Sequence, residues 1–316
     1  MKRALFVYFP GCEVLDFAGP LQAVHELNAL AGEPYRVLHC STRETAKAAQ
    51  GLMLAQLEPL PEPSADDCIF IPGFPVNRAG SAPRGLNRWL RHAHADGARI
   101  FAVCTGSFVL AQAGLLEGRR CTTHWKRTAE LQRRFPGVTV LTGRLFVADG
   151  RITTSAGISS GIDMALDFIE REHGPLAAAA VAREMVVYIR RDGSQRQESI
   201  YVDYRTHIDP SVHAVQDWLI ANPERHATLQ DLASIAKTST RSLTRTFLKA
   251  TGISIGAYRR RLRLEHAKRL MHNPELSIEC IAERTGFSDA RQLRRLWHAE
   301  YGKSPRAERK SAASWA

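Results

Sequence analysis

The feature that most constrains this chain is an internal repeat, with a period of about fifty residues, in its last third. The first copy, at 232–254, reads LASIAKTSTRSLTRTFLKATGIS, and the second, at 281–304, reads IAERTGFSDARQLRRLWHAEYGKS. Three pairs of residues correspond: Ala233 with Ala282, Phe247 with Trp297, and Gly252 with Gly302. The spacing predicts a short helix, a turn of three or four residues and a second helix, which Ser239 or Ser288 would cap. The repeat therefore predicts two copies of one helical motif.

The second helix of each copy has an apolar face and a polar face. The apolar residues expected to hold it to the core are Leu243 and Phe247 in the first copy, and Leu293, Leu296 and Trp297 in the second. The opposite face carries side chains that can reach base edges and phosphates, namely Arg241, Thr244, Arg245, Arg291, Gln292 and Arg295. The motif therefore predicts contact with DNA.

Positive charge is concentrated in the same part of the chain. Residues 211–316 hold 19 Lys and Arg against 10 Asp and Glu, whereas the first 210 residues hold 24 against 22. Such a block is typical of a protein that binds a polyanion, although a solubilising surface has the same charge. Between the copies, residues 254–271 predict one helix of about 27 Å. Because successive major-groove faces lie about 34 Å apart, this spacer favours two readers on one side of a duplex over a merely solvated pair of helices.

Four short motifs connect this region with a known family. They are LxxLA at 229–233, F-x4-G at 247–252, IAxxxGFSD at 281–289 and YGKSPRAER at 301–309. Residues 211–308 thus resemble the AraC-type DNA-binding domain, from which Trp297 and Glu308 depart at positions that do not face the groove. The resemblance implies double-stranded DNA as a partner, RNA polymerase as a further candidate partner, and seven DNA-binding residues: Arg241, Thr244, Arg245, Ala290, Arg291, Gln292 and Arg295.

The first 190 residues alternate short apolar runs with helical patterns, which is typical of βαβ units. Buried strands are predicted at 4–9, 35–40, 67–72 and 99–104, helices at 20–30, 84–96 and 158–173, and a strand pair around 138–148 and 151–154. The expected fold is a flavodoxin-like, mostly parallel α/β sandwich followed by an all-α domain with two helix-turn-helix motifs.

A polar, aperiodic stretch separates the two parts. RRDGSQRQES at 190–199 continues to Pro210 and predicts a flexible linker. We therefore expect an α/β domain at 1–192, a linker at 193–210 and a DNA-binding domain at 211–310. The apolar start of the chain is too short for a signal peptide and no window of about 20 residues is free of charges, so a cytoplasmic protein without membrane contact is expected.

Cys104 is the cysteine with the most informative context. The six cysteines, at 12, 40, 68, 104, 121 and 280, form no CxxC pair and no zinc-like spacing, so neither a metal nor another cofactor is expected. Cys104 ends an apolar strand and precedes a helix that begins near Thr105 and Gly106. A helix N-terminus lowers the pKa of a nearby thiol, although buried cysteines also occupy strand ends for packing.

Five stretches in order connect the first part with a second family. They are VLDFAGPLQAV (14–24), IPGF (71–74), the Cys104 turn, CTTHW (121–125) and TTSAGISSGIDMALDFI (153–169). They resemble the PfpI-like branch of the class I glutamine amidotransferase-like superfamily, and within it the regulators grouped with GlxA, in which this domain precedes an AraC-type module. The stretches LDFAGP and CTGSxVLAxAGLL also resemble isocyanide hydratase, where an Asp and a Thr accompany the cysteine. The matching residues here are Asp16, Cys104 and Thr105.

The resemblance implies a small-molecule site near Cys104 and a homodimer formed through the first domain. The residues expected at that site are Gly73, Phe74, Cys104, Thr105 and His124, with Asp16 as a partner of the thiol. Two alternatives remain, because Asp16 could form the turn before Gly19 and His124 could simply open a helix. Thr105 stands where proteolytic relatives have histidine, which disfavours a protease or glutaminase.

A second departure concerns the loop after Gly73. Phe74 and Pro75 stand where relatives often have a glycine, and Pro75 has no N–H to stabilise an oxyanion, which argues against hydrolytic turnover. The leading hypothesis is a sequence-specific transcription regulator that responds to a small molecule bound near Cys104. The alternative is an isocyanide-hydratase-like or amidase-like hydrolase that uses Cys104 and Asp16.

Overall fold

The computed structural model divides the chain into two compact units, Met1–Gln197 and Glu198–Ala316. It describes residues 2–76, 83, 85–187, 191, 193, 197, 200, 204–271, 273, 275–302, 304–307 and 309. The division falls inside the predicted linker, of which most of 194–203 lies outside the described residues.

The first unit is built on a seven-stranded sheet with the strand order β10-β11-β7-β6-β1-β2-β5. Its strands are β1 Lys2–Tyr8, β2 Tyr35–Ser41, β5 Glu58–Pro59, β6 Asp67–Ile71, β7 Arg99–Val103, β10 Phe146–Asp149 and β11 Ile152–Ser155. Two small ribbons accompany it, β3 Ala46–Lys47 with β4 Met53–Leu54 and β8 Arg120–Cys121 with β9 Thr139–Val140. Every neighbouring pair in the large sheet is parallel except β10 with β11. The predicted mostly parallel α/β fold is confirmed.

The helices of this unit are α1 Val14–Ala31, α2 Leu86–Ala95, α3 Gly106–Gln112, α4 Thr128–Arg134 and α5 Ser159–Glu184. After charged residues at their first one or two positions, the central strands β1, β6 and β7 are apolar and buried, because parallel sheets are covered on both faces. Phe6, Phe70 and Phe101, on three adjacent strands, stack with ring centroids 4.6 Å and 4.9 Å apart. This row of rings fixes the register of the strands that end at the candidate site.

Helix α1 begins six residues before the predicted start at residue 20, so that predicted start was wrong. Pro20 lies inside the helix and is buried. A Cβ on Gly19 would lie 2.7 Å from Cγ1 of Ile162 in α5, so glycine allows the two helices to pack closely. Burial of this face offsets the hydrogen bond that Pro20 cannot donate.

Helix α5 continues beyond the predicted end at residue 173. Gly174 interrupts it with φ 84° and ψ 167°, and Pro175 begins a second helical stretch. Proline suits a first helical position because its missing N–H would have no partner there. Buried Ala178, Val181 and Ala182 then hold this second stretch to the core.

The connecting segment, residues 191–197, is attached to the first unit at each of its described residues. Arg191 forms an ion pair with Asp163 at 2.6 Å, and the carbonyl of Gly193 accepts the N–H of Leu145 at 3.1 Å. The side-chain amide of Gln197 donates to three oxygens: Thr122 Oγ1 at 3.1 Å, the Thr123 carbonyl at 3.0 Å and the Arg144 carbonyl at 2.9 Å. The polar composition predicted that the flexible linker begins at residue 193, whereas Gly193 and Gln197 bind the folded unit.

The second unit contains six helices within its described residues. They are α6 Pro210–Ala221, α7 Leu229–Ile235, α8 Thr240–Thr251, α9 Ile255–Met271, α10 Ile278–Arg284 and α11 Ala290–Tyr301. Two separate apolar clusters form its core, one among α6, α7, α8 and the first half of α9, the other among the second half of α9, α10 and α11. Leu262 belongs to the first cluster and Leu264 to the second. The predicted spacer helix is therefore present and serves both cores.

Candidate functional sites at Cys104 and on two reading helices

Cys104 lies in the sharp turn between β7 and α3. Its φ is 57°, a left-handed conformation that is uncommon for a residue with a side chain. The N–H of Cys104 donates to the carbonyl of Ser155 at 2.9 Å, and its own carbonyl accepts the hydroxyl of Thr123 at 3.0 Å. Two residues later the turn requires glycine at position 106, because a Cβ there would lie 2.6 Å from the carbonyl oxygen of Ile71. Cys104 is 8% exposed, so its thiol is almost enclosed.

Asp16, on the first turn of α1, is the buried acid beside this thiol. It is 1% exposed, and its two oxygens accept the N–H groups of Gly73 at 3.0 Å and Ile158 at 2.9 Å. Burial raises the pKa of Asp16 to about 6, although the two N–H groups and a hydrogen bond with Cys104 act in the opposite direction. Asp16 therefore contacts Cys104 and does more than form a turn.

Thr105 binds the loop that follows β6. Its Oγ1 accepts the N–H of Phe74 at 2.7 Å and donates to the carbonyl of the same residue at 2.6 Å. A Cβ on Gly73 would lie 2.5 Å from Asp16 Oδ2, 2.8 Å from Thr105 Oγ1 and 2.9 Å from Cys104 Cβ. The structure thus brings together Asp16, Gly73, Phe74, Cys104 and Thr105, which we call the Cys104 site.

The Cys104 site leaves few groups free for oxyanion chemistry. The N–H of Gly73 is bound by Asp16, the N–H of Phe74 is bound by Thr105, and Pro75 has none. Oxyanion stabilisation requires donors that point at the developing charge. In this arrangement the N–H groups of Gly73 and Phe74 instead hold the Asp16 carboxyl group and the Thr105 hydroxyl group in place.

The helix N-terminus lowers the pKa of the Cys104 thiol as predicted, but stronger effects outweigh it and the net shift is upward. Burial, followed by the nearby charge of Asp16, raises that pKa to about 12, although the N–H of Thr105 lowers it. Both dominant effects disfavour a negative charge on sulfur. The thiol is therefore protonated at neutral pH.

His124 is half-buried and caps a short helical turn, Trp125–Arg127. Its Nδ1 accepts the N–H of Lys126 at 3.3 Å, and its ring stacks on Trp125 at 5.7 Å between centroids. Burial and the nearby Lys126 and Arg127 lower the pKa of His124, which favours the neutral ring. His124 follows Thr123, which contacts the Cys104 carbonyl, but no hydrogen bond among the described residues joins His124 itself to the site.

The second site is formed by α8 and α11, each of which is the second helix of a helix-turn-helix motif. We call α8 and α11 the first and second reading helix. Buried and exposed positions follow the same order over 240–250 and over 290–300, fifty residues apart. Leu243, Phe247, Leu293 and Trp297 are buried as predicted, whereas Leu296 is only half-buried. The two helices therefore present the same face to solvent.

The cap of the second reading helix differs from the prediction. Ser239 caps α8 by accepting the N–H of Ser242 at 3.2 Å, but Asp289, not Ser288, caps α11 by accepting the N–H of Gln292 at 2.7 Å. The turn before α11, at 285–289, is one residue longer than the turn before α8, at 236–239. This extra residue moves the cap.

Four arginines dominate the exposed faces of α8 and α11: Arg241, Arg245, Arg291 and Arg295. No hydrogen bond or ion pair to another described residue engages them. Thr244 is exposed but its hydroxyl donates to the carbonyl of Thr240 at 2.8 Å, and Ala290 is half-buried. Gln292 is half-buried, and its Oε1 accepts the N–H of Ser288 at 3.0 Å.

Arg294 is a surface residue that the sequence analysis missed. It lies fifty residues after Thr244, is exposed like it, and forms an ion pair with Glu279 at 2.8 Å. Applying the repeat spacing to every position of the helix would have identified it.

Two further findings concern membrane-spanning helices and metal sites in the described ranges. No helix there is long and apolar enough to cross a membrane. No group of three or more His, Cys, Asp or Glu within the described part of the chain could hold a metal ion.

Comparisons with known proteins match both parts of the chain. The DJ-1/PfpI family matches residues 2–171, and a helix-turn-helix domain matches residues 232–311. The HTH-type transcriptional regulator GbdR of Pseudomonas aeruginosa is 30% identical over 307 residues, which are 96% of this chain and 83% of GbdR. The HTH-type transcriptional regulator GlxA of Rhizobium meliloti is 27% identical over 99% of this chain and 97% of GlxA.

An enzyme is also similar to part of the chain. The isonitrile hydratase of Pseudomonas putida is 31% identical over 186 residues, which are 57% of this chain and 76% of the enzyme. The similarity over 96% or more of this chain is nevertheless to proteins named as HTH-type transcriptional regulators. The chain belongs to the DJ-1/PfpI family and, through the AraC-type helix-turn-helix domain that follows, is a DNA-binding transcription regulator.

Proposed function

We propose that this regulator responds to a small molecule bound at the Cys104 site and reads DNA with both α8 and α11. The observation that carries the proposal is the equivalence of Arg241 with Arg291 and of Arg245 with Arg295, all exposed on helices with the same burial pattern. A guanidinium can bind guanine edges in the major groove or phosphates. Two equivalent surfaces favour two successive groove contacts by one chain.

The proposal also covers the oligomeric state, a further protein partner and the location of the protein. The first unit would form a homodimer, RNA polymerase would be a further partner on the promoter, and the protein would act in the cytoplasm, where bacterial DNA lies. The residues proposed for the effector are Gly73, Phe74, Cys104, Thr105 and His124. The paired hydrogen bonds of Asp16 and Thr105 support a rigid binding site over a turnover site.

DNA reading is tested by titrating the full chain against a duplex that the wild-type protein selects from a random library. Arg245→Ala or Arg295→Ala should cost about 1–3 kcal/mol if the arginine reads a base, and should lower the salt slope by about 1 if it binds a phosphate. Arg36→Ala, which removes the same charge from an exposed position in the first unit, is the control. Wild-type affinity in both reading-helix variants would refute the proposed interface.

The spacing of the two contacts gives a second test. Footprints of the motifs should be offset by about 10 base pairs, and inserting about 5 base pairs between the half-sites should prevent simultaneous engagement. Equal binding to the intact and the lengthened duplex would contradict reading by both helices.

The role of Cys104 is tested with Cys104→Ser in the full chain. Because the thiol lies in a different unit from the reading helices, DNA binding should stay within a few-fold of wild type while the response to effector changes. Loss of DNA binding in a folded variant would contradict this assignment.

A second candidate function, isonitrile hydration, is favoured by one observation. Asp16, with a pKa of about 6 and in contact with Cys104, could accept the thiol proton near neutral pH. The high pKa of the thiol and the occupied N–H groups at 73 and 74 oppose it. Incubating the full chain with alkyl isonitriles and measuring the N-alkylformamide formed separates the two functions, and we expect no turnover above that of Cys104→Ser.

A further inference from the structure

A single buried arginine joins the two helix-turn-helix motifs. Arg263 of α9 is 8% exposed, and its guanidinium reaches three backbone carbonyls. Nε donates to Pro223 at 2.8 Å, Nη2 donates to Arg225 at 3.1 Å, and Nη1 donates to Gly286. Pro223 and Arg225 lie in the loop between α6 and α7, and Gly286 lies in the turn between α10 and α11. One side chain therefore bonds the loop that opens the first motif to the turn of the second.

The packing around this arginine leaves no spare room. Gly286 has φ 75°, and a Cβ there would lie 2.6 Å from the carbonyl oxygen of Glu224 and 2.8 Å from Cζ of Arg263. Arg263 also stands between Leu262 and Leu264, where α9 passes from the first apolar cluster to the second. The contact thus lies at the boundary between the two motifs.

The chemistry of the side chain suits this position. A guanidinium holds five N–H donors in a planar fork, so it can bind carbonyls in several fixed directions at once. A lysine ammonium is a compact charge that could not keep all three bonds in the same geometry. Hydrogen bonds from a charged donor are stronger than those between neutral groups, and these are shielded from water. Arg261, which contacts Tyr204 and lies 3.8 Å from Glu300, forms a more exposed second link.

We infer that Arg263 is a positioning residue for DNA reading, which fixes the orientation of α11 relative to α8 and so sets the half-site spacing that the protein accepts. Helix α9 alone would leave the motifs joined by one helix that can bend. The bonds of Arg263 add a buried connection between the motifs to that helix, and the Arg261 link lies at the surface. This inference rests on the proposed reading of DNA by both helices.

The test compares the selected duplex with versions that carry one base pair more or less between the half-sites. One base pair turns the second half-site by about 35°. The wild-type chain should lose about tenfold for each base contact that it can no longer make. Arg263→Lys and Arg263→Met should bind the selected duplex and the two altered duplexes almost equally. Their affinity for either half-site alone should stay close to that of the wild-type chain.

The matched control is Arg259→Met. Arg259 is also on α9, but it donates to the carbonyl of Ala227, next to the first motif only, at 2.7 Å. This variant should keep the wild-type preference for spacing. If the Arg263 variants weaken binding to all duplexes by one factor, their role is stability alone and the inference is overturned. If the wild-type chain itself ignores spacing, reading by both helices fails, and the inference fails with it.

A second measurement needs no operator. Spin labels on Leu248→Cys in α8 and His298→Cys in α11, both exposed, report the distance between the reading helices when Cys280→Ser removes the half-buried cysteine. Double electron–electron resonance should give a narrow distance distribution with Arg263 and a broader one with Arg263→Lys. An unchanged width in the folded Lys variant would overturn the inference.

Discussion

Replacing Asp16 by asparagine should remove a pH dependence that this buried acid imposes on the stability of the first unit. The pKa of Asp16 is raised from 3.8 to about 6, so the folded chain keeps the proton to a higher pH than the unfolded chain. The stabilisation by the protonated form is fully present below pH 3.8 and is lost as the pH rises through about 6. At 1.36 kcal/mol per pKa unit, the loss amounts to about 3 kcal/mol.

The asparagine variant should carry a different, constant cost. Its amide oxygen can accept one of the two N–H groups that Asp16 binds, those of Gly73 and Ile158, but its NH2 group would face the other. An unpaired buried donor costs about 1–3 kcal/mol at every pH. Asp16→Asn should therefore be less stable than wild type at pH 4 and should match or exceed it at pH 7.

The assay is urea unfolding at pH 4, 5, 6 and 7, followed by hydrogen exchange and mass spectrometry. Exchange in β1, β6 and β7 reports the first unit, and α8 and α11, in the second unit, are the internal control. The same variant should speed alkylation of Cys104 at pH 8, because the charge of Asp16 raises the pKa of the thiol. A stability difference between wild type and variant that stays constant within about 1 kcal/mol from pH 4 to pH 7 would refute the reasoning.

Two further predictions concern single residues. Gly73→Ala should lower the free energy of unfolding by about 1–3 kcal/mol, because its Cβ would press on three side chains of the Cys104 site. Gly256→Ala should instead stabilise α9 by about 0.5–1 kcal/mol, because no atom lies within 4 Å of its Cβ. Thermal melting of both variants checks this pair, and equal melting temperatures would contradict it. Asp289→Ala should destabilise the second unit by about 1 kcal/mol through loss of the helix cap, while Ser288→Ala should change it by less than about 0.5 kcal/mol. The same cost in both would show that the cap is misassigned.

The features that the sequence predicted well depend on nearby residues. The repeat predicted the positions of α8 and α11 because the same spacing of apolar residues occurs in both copies. Apolar runs gave β1, β2, β6 and β7 within about two residues, since buried parallel strands read as continuous hydrophobic stretches. The strand predicted around 138–148 was wrong in its bounds, because the structure divides it between β9 and β10. The turn at Cys104 followed in the same way from a strand that ends directly before Thr105 and Gly106.

The features that it predicted wrongly depend on distant residues. The start of α1 follows from Gly19 packing on Ile162, which no local pattern reveals. The pKa of Cys104 depends on burial and on Asp16, which outweigh the adjacent helix N-terminus. Arg263 belongs to a basic run that resembles a solvated helix, and only the folded chain brings carbonyls from two loops around it.

The attachment of the connecting segment, residues 191–197, limits the length of free chain between the first unit and the DNA-binding unit. While Gln197 is bound to Thr122 and Thr123, two residues separate it from Ile200 of the second unit's core, and so short a chain reaches about 10 Å. If an effector at the neighbouring Cys104 site released the segment back to Arg191, the reach would grow to about 30 Å. Faster tryptic cleavage within 192–197 in the presence of effector would report that release, and unchanged cleavage would count against it. The effective concentration of a tethered domain falls steeply as its tether lengthens, so such a release would weaken joint binding by two DNA-binding units without altering any contact with DNA.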